Sequence, residues 1–269
     1  MPELPEVETT VRGIRPYVCN QKIERFIVRN HQLRWPVASE TESLPGQHIK
    51  AVSRRGKYIL MEVGQGTLIW HLGMSGSMKI QPSGSRIEKH EHIEIQLASG
   101  QALKYRDPRR FGSLLYTTSD PLQHRLLKNL GPEPLSDEFD IEHLFNACRN
   151  RSASIKSIIM DSRRVVGVGN IYACEALFSA RINPSRAAGR ISKKRLERLV
   201  EMIKHTLRAA IQQGGTTLQD FTQADGKPGY FGQMLNVYGT KRDCPVCAGA
   251  IRKFSQGQRS TYYCPSCQT

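Results

Sequence analysis

At 269 residues, with 39% apolar composition and 23% charged residues, the chain has enough material for a buried core and is not of the disordered class. Lys and Arg number 39 against 24 Asp and Glu, a formal charge of +15, so a polyanion is the first partner to consider. No stretch approaches the roughly 20 consecutive apolar residues of a membrane span, and the acidic start MPELPEVE is unlike a signal peptide, so a cytoplasmic location is expected. Charge by itself supports binding and not chemistry, and a basic protein of the ribosomal kind fits it equally well.

Along residues 5–18, Val7, Val11, Ile14 and Val18 recur at spacings of three and four, and Pro5 suits a first turn, which predicts a short amphipathic helix. From about 22 to 117 the pattern changes to short apolar runs between turn residues: KIERFIV, KYILMEV, TLIWHL, HIEIQL and GSLLYT. Many short strands with no long helical pattern between them predict an antiparallel sandwich or barrel. GPEPLSDEF then reads as a surface connection into helical sequence, and places a domain boundary near it.

Beyond that boundary, Leu196, Leu199, Val200, Ile203, Leu207 and Ile211 mark one face of a long helix, with Ser192 placed at its start and Gly214 and Gly215 at its end. Shorter helices are expected near 153–161 and 170–180, joined by VVGVGN, whose Asn170 can cap the second. Cys244, Cys247, Cys264 and Cys267 form two C-x-x-C pairs, a spacing that lets four thiolates meet one tetrahedral metal. Four sulfur ligands leave no open position, so one structural Zn²⁺ is expected, with iron as the chemical alternative. Arg252, Lys253, Gln256, Gln258, Arg259, Thr261 and Tyr262 lie between the pairs, a basic hairpin fit for a DNA groove or simply a solvated charged face. Cys19, Cys148 and Cys174 read as small buried hydrophobes.

Removal of Met1 ahead of small Pro2 would leave a secondary amine beside Glu3 and Glu6, and an unprotonated amine is a nucleophile toward sugar C1′. Without further context an ordinary acidic helix start explains the same residues. The segments MPELPEVET, RRGKY, HLGMSG, DPRRFG, GVGNIYACE, GGTTL, DGKPGYF and the four terminal cysteines, taken together and in order, resemble the formamidopyrimidine-DNA glycosylase family from Met1 to Cys267.

The resemblance implies an α+β protein: a catalytic antiparallel β-sandwich with a short N-terminal helix over 1–130, a helix-two-turns-helix DNA-binding domain with a lesion-capping loop over 131–234, and a C4 zinc finger over 235–269. It implies a bifunctional glycosylase and lyase that removes 8-oxoguanine and formamidopyrimidines from double-stranded DNA, then cleaves the strand by β,δ-elimination, and that acts as a monomer. By the same resemblance Pro2 is the nucleophile, Glu3 a general acid/base and Glu6 its supporting carboxylate. Lys57 and Arg259 match residues credited in the β- and δ-elimination steps, or hold phosphates. Met74 and Phe111, which composition alone would place in a core, match residues that fill the gap left by an extruded base, and Arg109 the one that bonds the orphaned cytosine. His71, His90 and Asn170 match DNA-contact positions, the last with its helix N-terminus. Asn150 stands where the family often has a DNA-contacting lysine, and Arg149 and Arg151 flank it as substitutes. The stretch from Thr216 to Tyr238 resembles the loop that closes over the extruded purine. Leu4, where the pyrimidine-preferring relatives carry glycine, favours the purine branch. A noncatalytic zinc-finger DNA binder is the competing reading; it explains the charge and cysteines but not the proline beside two glutamates.

Overall fold

The computed structural model describes residues 1–216, 224, 227–239 and 243–269. It divides into two compact units, one of Met1–Lys128 with Gln213–Tyr230, the other of Asn129–Gln212 with Phe231–Thr269. The return of 213–230 to the first unit is a feature that no shift in composition marks.

The first unit begins with α1 (Leu4–Val18), started by a capping box in which the Glu6 carboxylate accepts the Glu3 N–H at 2.7 Å. Its buried face carries Val7, Val11, Ile14 and Val18 into the same core as the strands. Eight strands follow: β1 (Ile23–Val28), β2 (Ile49–Arg55), β3 (Tyr58–Val63), β4 (Gly66–His71), β5 (Ser77–Pro82), β6 (Glu91–Leu97), β7 (Gln101–Arg106) and β8 (Ser113–Thr117). They form two antiparallel four-stranded sheets, ordered β1-β6-β7-β5 and β2-β3-β4-β8. Both sheets contribute to one core, in which Trp70 of β4 meets Tyr105 of β7 edge-on at 5.4 Å, the interleaving expected of a sandwich.

The five runs read from sequence correspond to β1, β3, β4, β6 and β8; β2, β5 and β7 do not stand out there. β7 shows why. Its apolar alternation is short: Leu103 and Tyr105 enter the core, and between them, on the other face of the strand, stands Lys104. It is nonetheless buried, held by Glu91 at 3.5 Å and by the carbonyls of Ser85 and Arg86 at 3.1 and 3.2 Å, so the charge is paired rather than exposed.

The second unit is helical: α2 (Ile141–Cys148), α3 (Ile155–Met160), α4 (Asn170–Ser179) and α5 (Lys193–Gln212). α5 starts directly after Ser192, whose carbonyl accepts from Arg195 and Leu196, and it is followed by Gly214 and Gly215 at φ +72° and +83°, conformations that halt a helix at little cost to glycine. Leu196, Leu199, Ile203 and Leu207 of α5 pack with Tyr172, Ala173 and Leu177 of α4 in one core. Truncating Leu199 to Ala in such a site costs about 2–5 kcal/mol. The hairpin of β9 (Arg252–Gln256) and β10 (Arg259–Tyr263) closes the chain. Among the described residues no helix is long and apolar enough to cross a membrane.

Candidate active site and nucleic-acid interface

In the first unit four of the sequence-predicted residues, His71, Met74, Arg109 and Phe111, line a cavity of about 730 Å³ together with Met1 and Arg34 among others, while Pro2, Glu3, Glu6, Lys57 and His90 are not among its lining residues. Pro2, Glu3 and Glu6 behind Met1 are buried. Glu6 Oε2 takes the Glu3 N–H, and its Oε1 takes the Thr216 N–H at 2.8 Å, so one carboxylate fixes both the start of α1 and the turn after Gly215. Glu3, Glu6 and Lys57 have further partners besides these.

Lys57 sits in the two-residue turn between β2 and β3, where Gly56 has φ +58° and Arg55 faces Tyr58 across the hairpin. A glycine in the left-handed region at the first central position is the requirement of a tight hairpin turn. Tyr58 in turn pairs with His71 on β4, which brings the Lys57 charge near the His71 ring.

Met74 and Phe111 are 39% and 46% exposed, too open for core residues of their size, and Arg109 lies with its guanidinium 4.8 Å over the Phe111 ring. The three therefore stand as an exposed apolar and cationic ridge on one side of the cavity. His90 adopts φ +71° ahead of β6, and its carbonyl accepts the Asp107 N–H at 3.0 Å.

His71 has its pKa pulled from 6.5 to about 4, by burial first and then by the Lys57 and Arg34 charges, with Asp107 opposing. Its Nδ1 accepts the Gly73 N–H at 3.0 Å, so the neutral ring carries its proton on Nε2, the form that donates to an anion without a positive charge of its own. A histidine whose folded pKa lies below its unfolded value binds fewer protons when folded, so its contribution to stability is complete above about pH 6.5 and is lost as pH falls toward 4. The limit is on the order of 3 kcal/mol before solvent screening. Urea denaturation of wild type and His71→Gln across pH 7.5 to 4.5 checks this: wild type should lose more stability than the variant below about pH 6.5, and parallel curves would contradict it.

In the second unit the sequence assigns Asn170 as the cap of α4. The structure corrects this: Gly169 occupies the cap and Asn170 is the first helical residue, its side chain directed elsewhere. Asn170 Oδ1 accepts from Lys156 Nζ at 2.6 Å, and Nδ2 donates to the Ser260 carbonyl at 2.9 Å and the Tyr238 hydroxyl at 3.2 Å. Asn170 thus joins α4 to the β10 strand of the hairpin. Lys156 is 2% exposed and also donates to Thr261 Oγ1 at 2.6 Å. Sequence reasoning missed it because a lone lysine among Ile155, Ile158 and Ile159 reads as a solvent-facing residue of a short helix.

It also missed Glu175, a buried carboxylate that accepts the backbone N–H groups of Asn236, Val237 and Tyr238 at 2.8 to 2.9 Å. A second, smaller cavity of about 230 Å³ is lined by Lys156, Ser157, Asp161, Gln256 and Arg259. Asn150, at φ +56°, and Arg151 are exposed on the turn after α2 and do not line it.

The Sγ atoms of Cys244, Cys247, Cys264 and Cys267 lie within 4.8 Å of one another, with Cys244–Cys267 at 3.8 Å and Cys247–Cys264 at 3.5 Å. Zinc–sulfur bonds of about 2.3 Å in a tetrahedron put sulfurs about 3.8 Å apart, so the donor set fits the metal in number, chemistry and spacing. The Gly257–Gln258 turn of the hairpin has φ +54° and +59°, the double left-handed geometry of the tightest hairpin loops. Of the remaining cysteines, Cys148 and Cys174 are buried as expected, with burial raising the Cys148 thiol to about 11, while Cys19 is half-buried.

Family models match the chain in three segments: the formamidopyrimidine-DNA glycosylase N-terminal domain over residues 1–114, the formamidopyrimidine-DNA glycosylase H2TH domain over 130–222, and the zinc finger found in FPG and IleRS over 244–269. The chain belongs to the formamidopyrimidine-DNA glycosylase family. It is 55% identical over 270 residues to the formamidopyrimidine-DNA glycosylase of Pseudomonas aeruginosa strain LESB58, and 52% over 269 residues to that of Idiomarina loihiensis, with all of each chain covered. Among solved structures, the MutM (Fpg) protein of Thermus thermophilus is 37% identical with a TM-score of 0.89, covering 99% of this chain and 98% of that one. A Lactococcus lactis Fpg mutant, solved in complex with Fapy-dG containing DNA, is 32% identical with a TM-score of 0.91 over 99% of each chain. The fold class and the family read from the sequence are those found. The protein is a DNA-repair glycosylase with a C-terminal zinc-finger domain, of a family whose members characteristically also cleave abasic sites.

Proposed function

We propose that this glycosylase removes oxidised purines, 8-oxoguanine and formamidopyrimidines, from duplex DNA by covalent catalysis through the Pro2 nitrogen, and then cleaves the strand by β,δ-elimination. One observation carries the reading: Met1, immediately ahead of Pro2, lines the same cavity as Met74, Arg109 and Phe111, so removal of Met1 opens the proline nitrogen onto the space beside the ridge. A stacked base is inaccessible to any nucleophile, and an apolar ridge with a guanidinium is suited to occupy the gap and bond the orphaned partner base once the lesion is extruded.

In this reading the Pro2 nitrogen attacks C1′, the C1′–N bond to the base breaks, and the base leaves with a proton. The sugar remains as an iminium, whose positive charge acidifies the C2′ proton; loss of that proton expels the 3′ phosphate, and a second elimination expels the 5′ phosphate. Glu3, buried next to the nitrogen, moves protons to and from the sugar, while Glu6 is fixed by two backbone N–H groups and holds the start of α1 in place. Lys57 and Arg259 serve the elimination steps or the flanking phosphates. His71, His90, Asn170 with the α4 N-terminus, and Arg149 or Arg151 in place of Asn150, contact the backbone.

A Zn²⁺ on the four cysteines supplies no chemistry to the reaction and holds the β9–β10 hairpin rigid. Of the segment resembling the purine-capping loop, residues 217–223, 225 and 226 lie outside the described residues. The enzyme acts as a monomer on lesion-bearing duplex DNA in the bacterial cytoplasm.

Borohydride trapping on duplexes carrying 8-oxoguanine opposite cytosine, or thymine glycol opposite adenine, tests the substrate and the chemistry together. The expected result is a reduced adduct mapping to Pro2 and faster cleavage of the first duplex. Faster cleavage of the second would assign the protein to pyrimidines, and tight binding without any adduct would leave a noncatalytic DNA binder.

A further inference from the structure

Asp107, in the DPRRFG segment, is completely buried, and no role in the chemistry above uses it. Its two carboxylate oxygens collect four donors. Oδ1 accepts from the Ser75 hydroxyl at 2.6 Å and the Arg109 N–H at 3.3 Å; Oδ2 accepts from the Gly112 N–H at 2.8 Å and the Tyr105 hydroxyl at 3.1 Å. Ser75 Oγ in turn accepts the Arg109 N–H at 3.1 Å. Ser75 follows Met74 in one loop, while Arg109 and Gly112 bracket Phe111 in the other, so a single side chain ties together the two segments that carry the ridge.

The backbones are pressed together at the same point. A Cβ on Gly73, at φ +69°, would come within 2.3 Å of the Gly112 nitrogen, and one on Gly112 would meet the Tyr105 hydroxyl at 1.8 Å. Between Arg109 and Phe111, Arg110 holds a left-handed φ of +55°, a conformation that costs a non-glycine residue about 1–2 kcal/mol and persists only where its surroundings impose it. The Arg110 N–H donates to the Asp107 carbonyl at 3.2 Å, and the same carbonyl lies 2.9 Å from His92 Nε2.

We propose that Asp107 is a positioning residue: its carboxylate locks the Met74 loop and the Arg109–Phe111 loop into one preformed wedge before DNA is bound. The proposal rests on the reading of Met74, Arg109 and Phe111 as the residues that enter the base stack. Prior ordering matters because any loop freedom that insertion must remove is subtracted from binding. Asparagine is no substitute at this position. It offers one oxygen and one NH₂, so in either orientation the NH₂ faces a backbone N–H that cannot reverse, that of Arg109 or of Gly112, and the neighbouring hydroxyl must turn from donor to acceptor.

The test compares wild type with Asp107→Asn and Ser75→Ala, the second removing only the bridging hydroxyl in case the first folds poorly. In the free protein, hydrogen exchange at the Arg109 and Gly112 amides should quicken at least tenfold in both variants. With DNA, excision of 8-oxoguanine opposite cytosine should fall tenfold or more. Cleavage of a preformed abasic site in single-stranded DNA, where no base is extruded, should fall less than threefold. The preference for cytosine over adenine opposite the lesion should narrow. Equal losses on the two substrates, or amide protection that stays at the wild-type level, would overturn the proposal. A wild-type enzyme inactive on 8-oxoguanine would instead overturn the substrate reading, and amide exchange alone would then decide the fate of the Asp107 latch.

Discussion

A chain carrying a short uncleaved extension ahead of Pro2 should give no borohydride-trapped adduct with lesion-bearing DNA, and its strand cleavage should fall by at least about a thousandfold, some 4 kcal/mol of barrier. The reason lies in the bond. With a residue ahead of it, the Pro2 nitrogen is an amide whose lone pair is delocalised into the carbonyl, and such a nitrogen does not attack C1′. Freed, it is a secondary amine whose lone pair is available for attack once its proton is lost. A secondary amine also yields an iminium that is cationic without taking up a proton, whereas the imine of a primary amine must be protonated to acidify C2′.

Pro2→Gly, with Met1 removed, should therefore retain trapping at a reduced rate, and should depend more steeply on pH than wild type. DNA affinity of the extended chain, measured on an abasic analogue that cannot react, separates loss of chemistry from loss of binding. Full cleavage by a chain shown by mass to keep its extension would remove Pro2 from the mechanism.

That prediction was accessible from sequence because the features behind it are local. The terminal proline with its glutamates, the C-x-x-C pairs and the heptad-like face of α5 each declare themselves within a few residues, and each is where the sequence placed it. What remained hidden are buried polar groups. Lys104, Lys156, Glu175 and Asp107 are all at most 2% exposed, yet each type is normally found on the surface, so their burial is legible only once their partners are known. Those partners are distant in sequence: Lys156 reaches Thr261, Glu175 reaches Val237, and Asp107 reaches Ser75.

Asn170 illustrates the same limit from the other side. Its residue type favours a helix cap, and local propensity alone assigns it one, but three tertiary hydrogen bonds outweigh a single capping bond and leave Gly169 at the cap. Met74 and Phe111 fail in the opposite sense, since composition alone would bury both. Their exposure is what the proposed insertion into the base stack requires.

Loss of one zinc ligand should have the second large effect. The β9–β10 hairpin has only two strands of five residues each, and a two-stranded hairpin is marginal in water without help. Besides the Lys156 and Asn170 bonds it has a small apolar cluster of Cys174, Phe178, Val237, Cys244 and Cys264, too few residues to order the segment without the metal that the four cysteines would hold. Structural zinc sites in isolated fingers contribute about 10–16 kcal/mol of apparent binding energy, so Cys264→Ser should release the metal and disorder the hairpin. With it go the Lys156 bond to Thr261 and the Asn170 bond to Ser260, and Arg259 loses its fixed place at the cavity beside Lys156.

DNA affinity should then fall by at least about a hundredfold, near 2.7 kcal/mol. The β-sandwich core has no part in the metal site, so the strand signal in circular dichroism and its thermal transition should survive. Metal content by mass spectrometry and affinity for lesion-bearing duplex, measured on the same preparations with and without chelator, decide the matter. Tight binding by a zinc-free chain would show that the hairpin is not part of the DNA-binding surface. Lost affinity together with a lost sandwich transition would show that the finger supports the whole chain rather than its grip on DNA.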